Sequence, residues 1–142
     1  MKFSQSYDKV KAAFEERILV LDGAMGTQIQ GANLSESDYS TNEFENWAIP
    51  LKGNHEILNI TRPDIIRRVY SDYHKAGADL ITTNTFNANA ISQKDYGTES
   101  FVEEMNLSAA RMAREVVGDE GFVVGTMGPT NRTASLSPDV ER

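Results

Sequence analysis

The chain has 142 residues and carries 21 acidic against 14 basic side chains, which gives a formal net charge of −7. This balance argues against nucleic acid as a partner, because nucleic-acid-binding domains present a basic face. No apolar run approaches the roughly 20 residues that span a bilayer, and residues 1–17 are too polar for a signal peptide. We therefore expect a cytoplasmic protein without a membrane partner. The absence of cysteine excludes disulfides, a thiol nucleophile and a thiolate-bound metal within these residues.

The first predicted elements are a short helix over residues 6–17 and a strand over residues 18–21. The four strand residues are all aliphatic, which predicts burial on both faces in a parallel sheet. Asp22 follows at the carboxyl end, where α/β sheets and barrels place their ligands. Gly23 and Gly26 predict a turn with positive φ that lets the backbone approach a ligand. A small zwitterion such as an amino acid would satisfy both the acid and the N–H groups of this turn.

A long polar stretch, residues 31–55, comes next. Connections of this length in compact domains are usually lids, binding loops or disordered segments. Several apolar side chains within it are unusual for a free linker, and we expect them to pack against the body of the protein. They are Phe44, Trp47, Ile49 and Leu51.

Helices and strands alternate in the rest of the chain. A helix is predicted to begin near Pro63 and to end at Gly77. A second strand follows over residues 78–83, a second crossover helix over about 99–117, and a third strand over 122–126. This alternation predicts parallel strands with crossover helices. It leaves open a doubly wound sheet or a (β/α)8 barrel.

Polar segments follow all three predicted strands, at residues 22–27, 84–86 and 128–133. The carboxyl ends of parallel strands meet at one mouth, so the three segments are expected to share a pocket. Any one of them alone would be explained by an ordinary turn.

Other chemistries find little support in the sequence. The glycines near Asp22 match neither of the common phosphate-binding patterns, and the acid would repel a phosphate. His55 and His74 show no metal-ligand spacing, and the chain has no nucleophile elbow.

Four stretches of the chain resemble the cobalamin-dependent methionine synthases: residues 18–30, 51–59, 76–89 and 128–140. The first stretch is typical of homocysteine S-methyltransferases generally, including those that use betaine or S-methylmethionine, and the last is typical of the cobalamin enzymes. The resemblance implies a (β/α)8 TIM barrel that binds homocysteine. A complete barrel takes about 250 residues. Residues 1–142 are therefore expected to be its N-terminal part, with about three strands, two crossover helices and an N-terminal helix.

The resemblance also implies a reaction. In this family homocysteine binds zinc as a thiolate, cysteines from later barrel strands hold the zinc, and the sulfur takes its methyl group from methylcobalamin. Further modules bind 5-methyltetrahydrofolate as the methyl donor, cobalamin and S-adenosylmethionine. The zinc ligands and these modules of the same polypeptide are absent from the 142 residues. We expect the 142 residues alone to be inactive, and to fold poorly or to associate.

Site residues follow from the same resemblance. Asp22 would hold the ammonium group of homocysteine, and the turn after it would receive the carboxylate. The resemblance assigns no catalytic residue and no metal ligand to this chain. Thr82 departs from the pattern, because several relatives carry glutamate there. The expected substrate-binding residues are Asp22, Gly23, Ala24, Met25, Gly26, Thr27, Asn84, Asn131 and Arg132.

Two alternatives remain open at this point. One is a cobalamin-independent homocysteine S-methyltransferase that uses S-methylmethionine or betaine as donor. The other is a non-catalytic half-barrel that binds a ligand or a partner. Several further modules downstream would favour the cobalamin enzyme, whereas a stable oligomer that covers the exposed sheet edge would favour the non-catalytic protein.

Overall fold

The computed structural model describes residues 5–119 and 121–132. Within these ranges the chain is rich in helix, and short 3-10 turns connect several of the elements. The helices are α1 (Gln5–Glu16), α2 (Met25–Gly31), α3 (Glu36–Tyr39), α4 (Leu58–Thr61), α5 (Pro63–Lys75), α6 (Ala90–Gln93) and α7 (Val102–Val117), and the strands are β1 (Leu80–Thr82) and β2 (Phe122–Val124). The predictions of a first helix and of two long crossover helices are confirmed by α1, α5 and α7.

The sheet is small and parallel. Strand β1 pairs with β2 in the register Leu80 to Phe122, Ile81 to Val123 and Thr82 to Val124. On the other side of β1, a single parallel bridge joins Leu21 to Leu80. Three extended segments therefore lie side by side in the order in which they occur along the chain, and crossover helices connect them.

The prediction that residues 18–21 form a strand buried on both faces is wrong. Only Leu21 joins the ladder, and the side chains of Ile18, Val20 and Leu21 are 88%, 52% and 56% exposed. The segment lies at the edge of the sheet, with β1 on one side and no strand on the other within the described residues. An aliphatic run is buried on both faces only when other elements pack over those faces, and the described part of the chain leaves these side chains exposed.

Residues 31–55 pack against the body of the protein, as predicted. Phe44 and Leu51 are fully buried, and Trp47 packs against the core cluster. Ile49 remains 40% exposed. The carboxylate of Glu36 holds the far end of the stretch by accepting the N–H groups of Leu51 and of the next residue at 2.6 and 2.9 Å.

The core lies where α5 and α7 pack against each other and against the sheet. Helix α5 begins at the proline predicted to start it, and Gly77 follows it with a φ of 100°. Its apolar stripe faces inward, so that the helix buries one side and leaves the other to solvent. The central buried side chains are Ile66, Tyr70, Ile81, Met105, Met112 and Ala113. No helix among the described residues is long and apolar enough to cross a membrane.

Candidate substrate site at the strand ends

The carboxylate of Asp22 lies at the end of residues 18–21, here called the edge segment, and is bound by the neighbouring strand. The backbone N–H of Asp22 donates to the carbonyl of Leu80 at 2.9 Å. The backbone N–H of Thr82 donates to Oδ2 of the acid at 2.8 Å, and the Thr82 hydroxyl lies 2.9 Å from Oδ1 and 3.1 Å from Oδ2. Asp22 therefore stands at the carboxyl end of a parallel segment, where the sequence predicts it.

No basic side chain neutralises Asp22 among the described residues. Burial raises the pKa of the half-buried carboxyl above its ordinary value, and the hydrogen bonds from Thr82 limit that rise. The phenol of Tyr70 lies close enough to Asp22 for the carboxylate to affect its pKa. That pKa is raised mainly by burial and further by the Asp22 charge, so Tyr70 stays neutral. A half-buried carboxylate without a protein cation is stabilised by a cationic ligand.

The segment after Asp22 differs from the predicted turn. Neither Gly23 nor Gly26 has a positive φ, so this part of the prediction is wrong. Helix α2 begins at Met25 and takes Gly26 and Thr27 into its first turn. The physical reason is packing, because Ile29 is only 1% exposed and anchors this short helix on the core.

Gly23 is required for a different reason, which is a close approach to Tyr73. A Cβ at Gly23 would lie 2.9 Å from the ring and hydroxyl of Tyr73. That hydroxyl donates to the carbonyl of Ala24 at 3.1 Å and thereby holds the segment that leads into α2. The sequence places Tyr73 only on the apolar stripe of α5, and no local signal shows that it reaches a residue 49 positions earlier.

Asn84 is buried, at 5% exposed, and is held by three neighbours. Its backbone N–H donates to the hydroxyl of Tyr70 at 2.8 Å. Its side-chain amide donates to the carbonyl of His55 at 2.7 Å and to the side chain of Asn59 at 3.1 Å. Asn84 thus ties the segment around His55 to the end of β1. That it also touches a substrate stays a prediction.

Asn131 and Arg132 are exposed and follow the third strand segment. The amide of Asn131 donates to the carboxylate of Asp95 at 2.7 Å, so the loop is anchored to the turn after α6. The backbone N–H of Arg132 lies 3.4 Å from the hydroxyl of Thr130. The predicted role of both residues at the mouth stays a prediction. Residue 133, the last of the predicted segment, lies outside the described residues.

Threonine hydroxyls join the ends of β1 and β2. The hydroxyls of Thr83 and Thr85 lie 2.6 Å apart. Thr85 donates to the carbonyl of Thr126 at 2.7 Å, and the N–H of Thr126 donates to Thr83 at 3.0 Å. The second and third strand-end segments are in direct contact, because the N–H of Gly128 donates to the carbonyl of Phe86 at 3.0 Å. Thr82 brings the first segment to the same edge of the sheet.

The described residues contain no group of three or more histidine, aspartate or glutamate side chains that could hold a metal ion. The whole sequence has no cysteine. The residues of this chain therefore do not fit a zinc site built from thiolates.

Comparison with known proteins identifies the family. The sequence model for homocysteine S-methyltransferase matches residues 19–142, a range that contains Asp22, Asn84 and the loop at Asn131. The chain belongs to the homocysteine S-methyltransferase family. The broader part of the expected resemblance, to homocysteine S-methyltransferases in general, is thereby confirmed. The sheet edge described above is that of a homocysteine S-methyltransferase domain.

Solved structures show the same fold. The chain is similar to the homocysteine methyltransferase MmuM from Escherichia coli in its metallated form, with 21% identity and a TM-score of 0.63 over 84% of this chain and 41% of that one. The oxidized form of the same protein gives 23% identity and a TM-score of 0.64 over 84% and 40%. This chain thus spans about two fifths of the length of those structures.

Proposed function

We propose that this chain supplies the part of a homocysteine S-methyltransferase that holds the amino-acid end of homocysteine. In this proposal Asp22 binds the ammonium group, and the backbone from Gly23 to Thr27 receives the carboxylate. Residues 1–142 are then the first part of a (β/α)8 barrel, in which the edge segment, β1 and β2 are three neighbouring strands.

The observation that carries the proposal is the state of Asp22. Its carboxylate is half-buried at a strand end, is oriented by Thr82, and has no cationic partner among the described residues. A hydrogen bond between ionised groups is stronger than a neutral one. An ammonium group would therefore recover the free energy that the partial burial of the carboxylate costs.

The remaining predicted residues form the rim of this site. Asn84 supports the rim indirectly, because its amide hydrogens are engaged by the carbonyl of His55 and by Asn59. Asn131 and Arg132 close the rim from the loop that follows the third strand segment, which Asp95 anchors through Asn131.

The reaction we propose transfers a methyl group to the sulfur of homocysteine, with loss of the thiol proton, and yields methionine. The proposed donor is methylcobalamin recharged by 5-methyltetrahydrofolate, as in methionine synthases, because residues 128–140 resemble those enzymes. Any zinc that binds the thiolate would take its ligands from outside these 142 residues, since they contain no cysteine. The residues of this chain bind and orient the other end of the substrate.

Calorimetric titration of L-homocysteine into the full-length protein tests the proposed site. We expect Asp22→Asn to weaken binding about 10- to 100-fold, the equivalent of one charge-assisted hydrogen bond. Asp72→Asn, which changes an exposed carboxyl on α5, is the matched control and should bind like the parent. Equal affinities for the parent and Asp22→Asn would remove Asp22 from the site.

The donor is tested separately by methionine formation. The full-length protein is incubated with L-homocysteine and methylcobalamin, S-methylmethionine or betaine, and methionine is measured by mass spectrometry. Turnover with methylcobalamin supports the proposed class. Turnover with S-methylmethionine or betaine alone assigns the protein to the cobalamin-independent enzymes.

A further inference from the structure

Thr82 provides every hydrogen bond that the Asp22 side chain receives among the described residues. Its backbone N–H lies 2.8 Å from Oδ2, and its hydroxyl lies 2.9 Å from Oδ1. We infer that Thr82 is a positioning residue, whose hydroxyl fixes the orientation of the Asp22 carboxylate toward a bound ammonium group. This inference rests on the role proposed for Asp22.

The geometry gives the hydroxyl a separate task from the backbone. The backbone N–H of Thr82 engages Oδ2 only, and one hydrogen bond leaves a carboxylate free to rotate about that contact. The hydroxyl reaches Oδ1 from the same residue, so both oxygens are fixed relative to β1. An ionised carboxylate has about four lone-pair sites. Two donors therefore leave acceptor capacity for a ligand.

The hydroxyl also affects the charge of the site. A donor to a carboxylate favours the ionised form, whereas burial favours the protonated one. Loss of the hydroxyl should therefore make Asp22 protonate at a higher pH. The titratable groups that face Asp22 and its segment from α5 are Tyr70 and Tyr73. A pH dependence that differs between Thr82→Val and the parent, and that is absent in the Asp22→Asn background, would report on Asp22.

The experiment is a double-mutant cycle in the full-length protein. L-homocysteine is titrated by calorimetry into the parent, Thr82→Val, Asp22→Asn and the double variant at several pH values from 5 to 8. Valine keeps the shape of threonine and removes the hydroxyl, and Thr82→Ser is the control that restores it. Circular dichroism checks folding. If Thr82→Val fails to fold, Thr82→Ala compared with Thr82→Ser gives the same contrast.

We expect Thr82→Val to weaken binding about tenfold at pH 7, the equivalent of one hydrogen bond to a charged group. As the pH is lowered, Thr82→Val should begin to lose affinity at a higher pH than the parent. The affinity of Thr82→Ser should stay within about threefold of the parent's. In the Asp22→Asn background, Thr82→Val should not weaken binding further.

Three results would overturn the inference. In the first, Thr82→Val binds like the parent at every pH. In the second, it weakens binding by the same factor whether or not Asp22 is present. If Asp22→Asn weakens binding in either case, the proposed ammonium site survives and only the role of Thr82 fails. In the third, Asp22→Asn binds like the parent, and the proposed site fails together with the inference.

Discussion

At the scale of single residues, Gly23 and Gly26 lie in the same segment but have different surroundings. A Cβ at Gly23 would lie 2.9 Å from the Tyr73 ring, whereas a Cβ at Gly26 would meet nothing within 4 Å. Gly26 also lies in the first turn of α2, where alanine has the higher helix propensity. The first glycine is needed for packing and the second is not.

We predict different effects of alanine on stability at these two positions. Gly23→Ala should displace Tyr73 and break its hydrogen bond to Ala24, which lowers the free energy of unfolding by about 1 kcal/mol. Gly26→Ala should leave it unchanged or raise it by up to about 1 kcal/mol. Urea denaturation of the full-length protein measures both. An equal loss for the two variants would show that the contact with Tyr73 is not what Gly23 provides.

The position of Asp22 could be predicted from its own neighbours, because an aliphatic run followed by an acid marks the end of a buried or half-buried strand. The role of Thr82 could not. Its contact with Asp22 joins residues 60 positions apart, and such a contact depends on how two strands are aligned. Without the structure, Thr82 stands out only through the resemblance, which implies glutamate at this position in several relatives and says nothing of its partner.

At the scale of elements, Asp79 connects α1, the edge segment and β1. Its carboxylate accepts two hydrogen bonds from Arg17 at 2.9 and 2.6 Å, and one from the backbone N–H of Val20 at 2.8 Å. The pKa of Asp79 is lowered from 3.8 to about 2, chiefly by the side-chain hydrogen bond with Arg17. This residue anchors the end of α1 and the edge segment to the start of β1.

The lowered pKa of Asp79 determines the direction in which its contribution to stability changes with pH. A carboxylate whose pKa is lower in the folded state than in the unfolded state stabilises the fold at pH values above its unfolded-state pKa. That contribution is lost as the pH falls through its folded-state pKa. For Asp79 the loss should occur between about pH 4 and about pH 2. Asp79→Asn should lower the Tm at pH 7, and the difference from the parent should shrink across that interval.

Thermal unfolding of the full-length protein between pH 2 and pH 7 provides the measurement. Asp72→Asn is the matched control, because Asp72 is an exposed carboxyl on α5. Its curve should run parallel to that of the parent. A constant difference between Asp79→Asn and the parent at every pH would contradict the account of Asp79.

Helix α5 was predictable because its signals are local. Pro63 begins it, Gly77 follows its end, and an apolar stripe runs between them. Helix α2 was not predictable, since seven residues that include two glycines have low helix propensity. The burial of Ile29 stabilises α2, and that contact comes from tertiary packing.

At the scale of the whole molecule, the described part of the chain has an exposed apolar edge. Ile18 is 88% exposed, Val20 52% and Leu21 56%, and Phe14 on α1 is 58% exposed. Within the described residues, the side of this segment that faces away from β1 has no strand partner. An exposed apolar strand edge favours pairing with another chain.

We predict that the 142-residue polypeptide self-associates through this edge. Sedimentation velocity should show a concentration-dependent oligomer, and Ile18→Lys should shift the distribution toward the monomer by placing a charge on the edge. Leu107→Lys, at a side chain on α7 that is 44% exposed, is the control and should leave the association unchanged. A monomer at all concentrations, or an equal effect of both variants, would contradict this prediction.

The family assignment and the three parallel segments agree with the interpretation of the chain as part of a homocysteine S-methyltransferase domain. The sequence could predict the two long crossover helices and the strands that follow them, because each crossover has its own start and stop signals. It does not predict the short helices α2, α3, α4 and α6. It could not predict the exposure of residues 18–21, since burial of a strand depends on neighbours that its own residues do not specify.

The central claim is that Asp22 binds the ammonium group of homocysteine. The most direct test removes the amino group from the ligand and the carboxylate from the protein. Binding of L-homocysteine and of 4-mercaptobutanoate, which lacks the amino group, is measured by calorimetry for the full-length parent and Asp22→Asn. We predict that Asp22→Asn weakens homocysteine binding at least about tenfold and leaves 4-mercaptobutanoate binding unchanged. An equal loss for both ligands would contradict the claim, because Asp22 would then act on something other than the ammonium group.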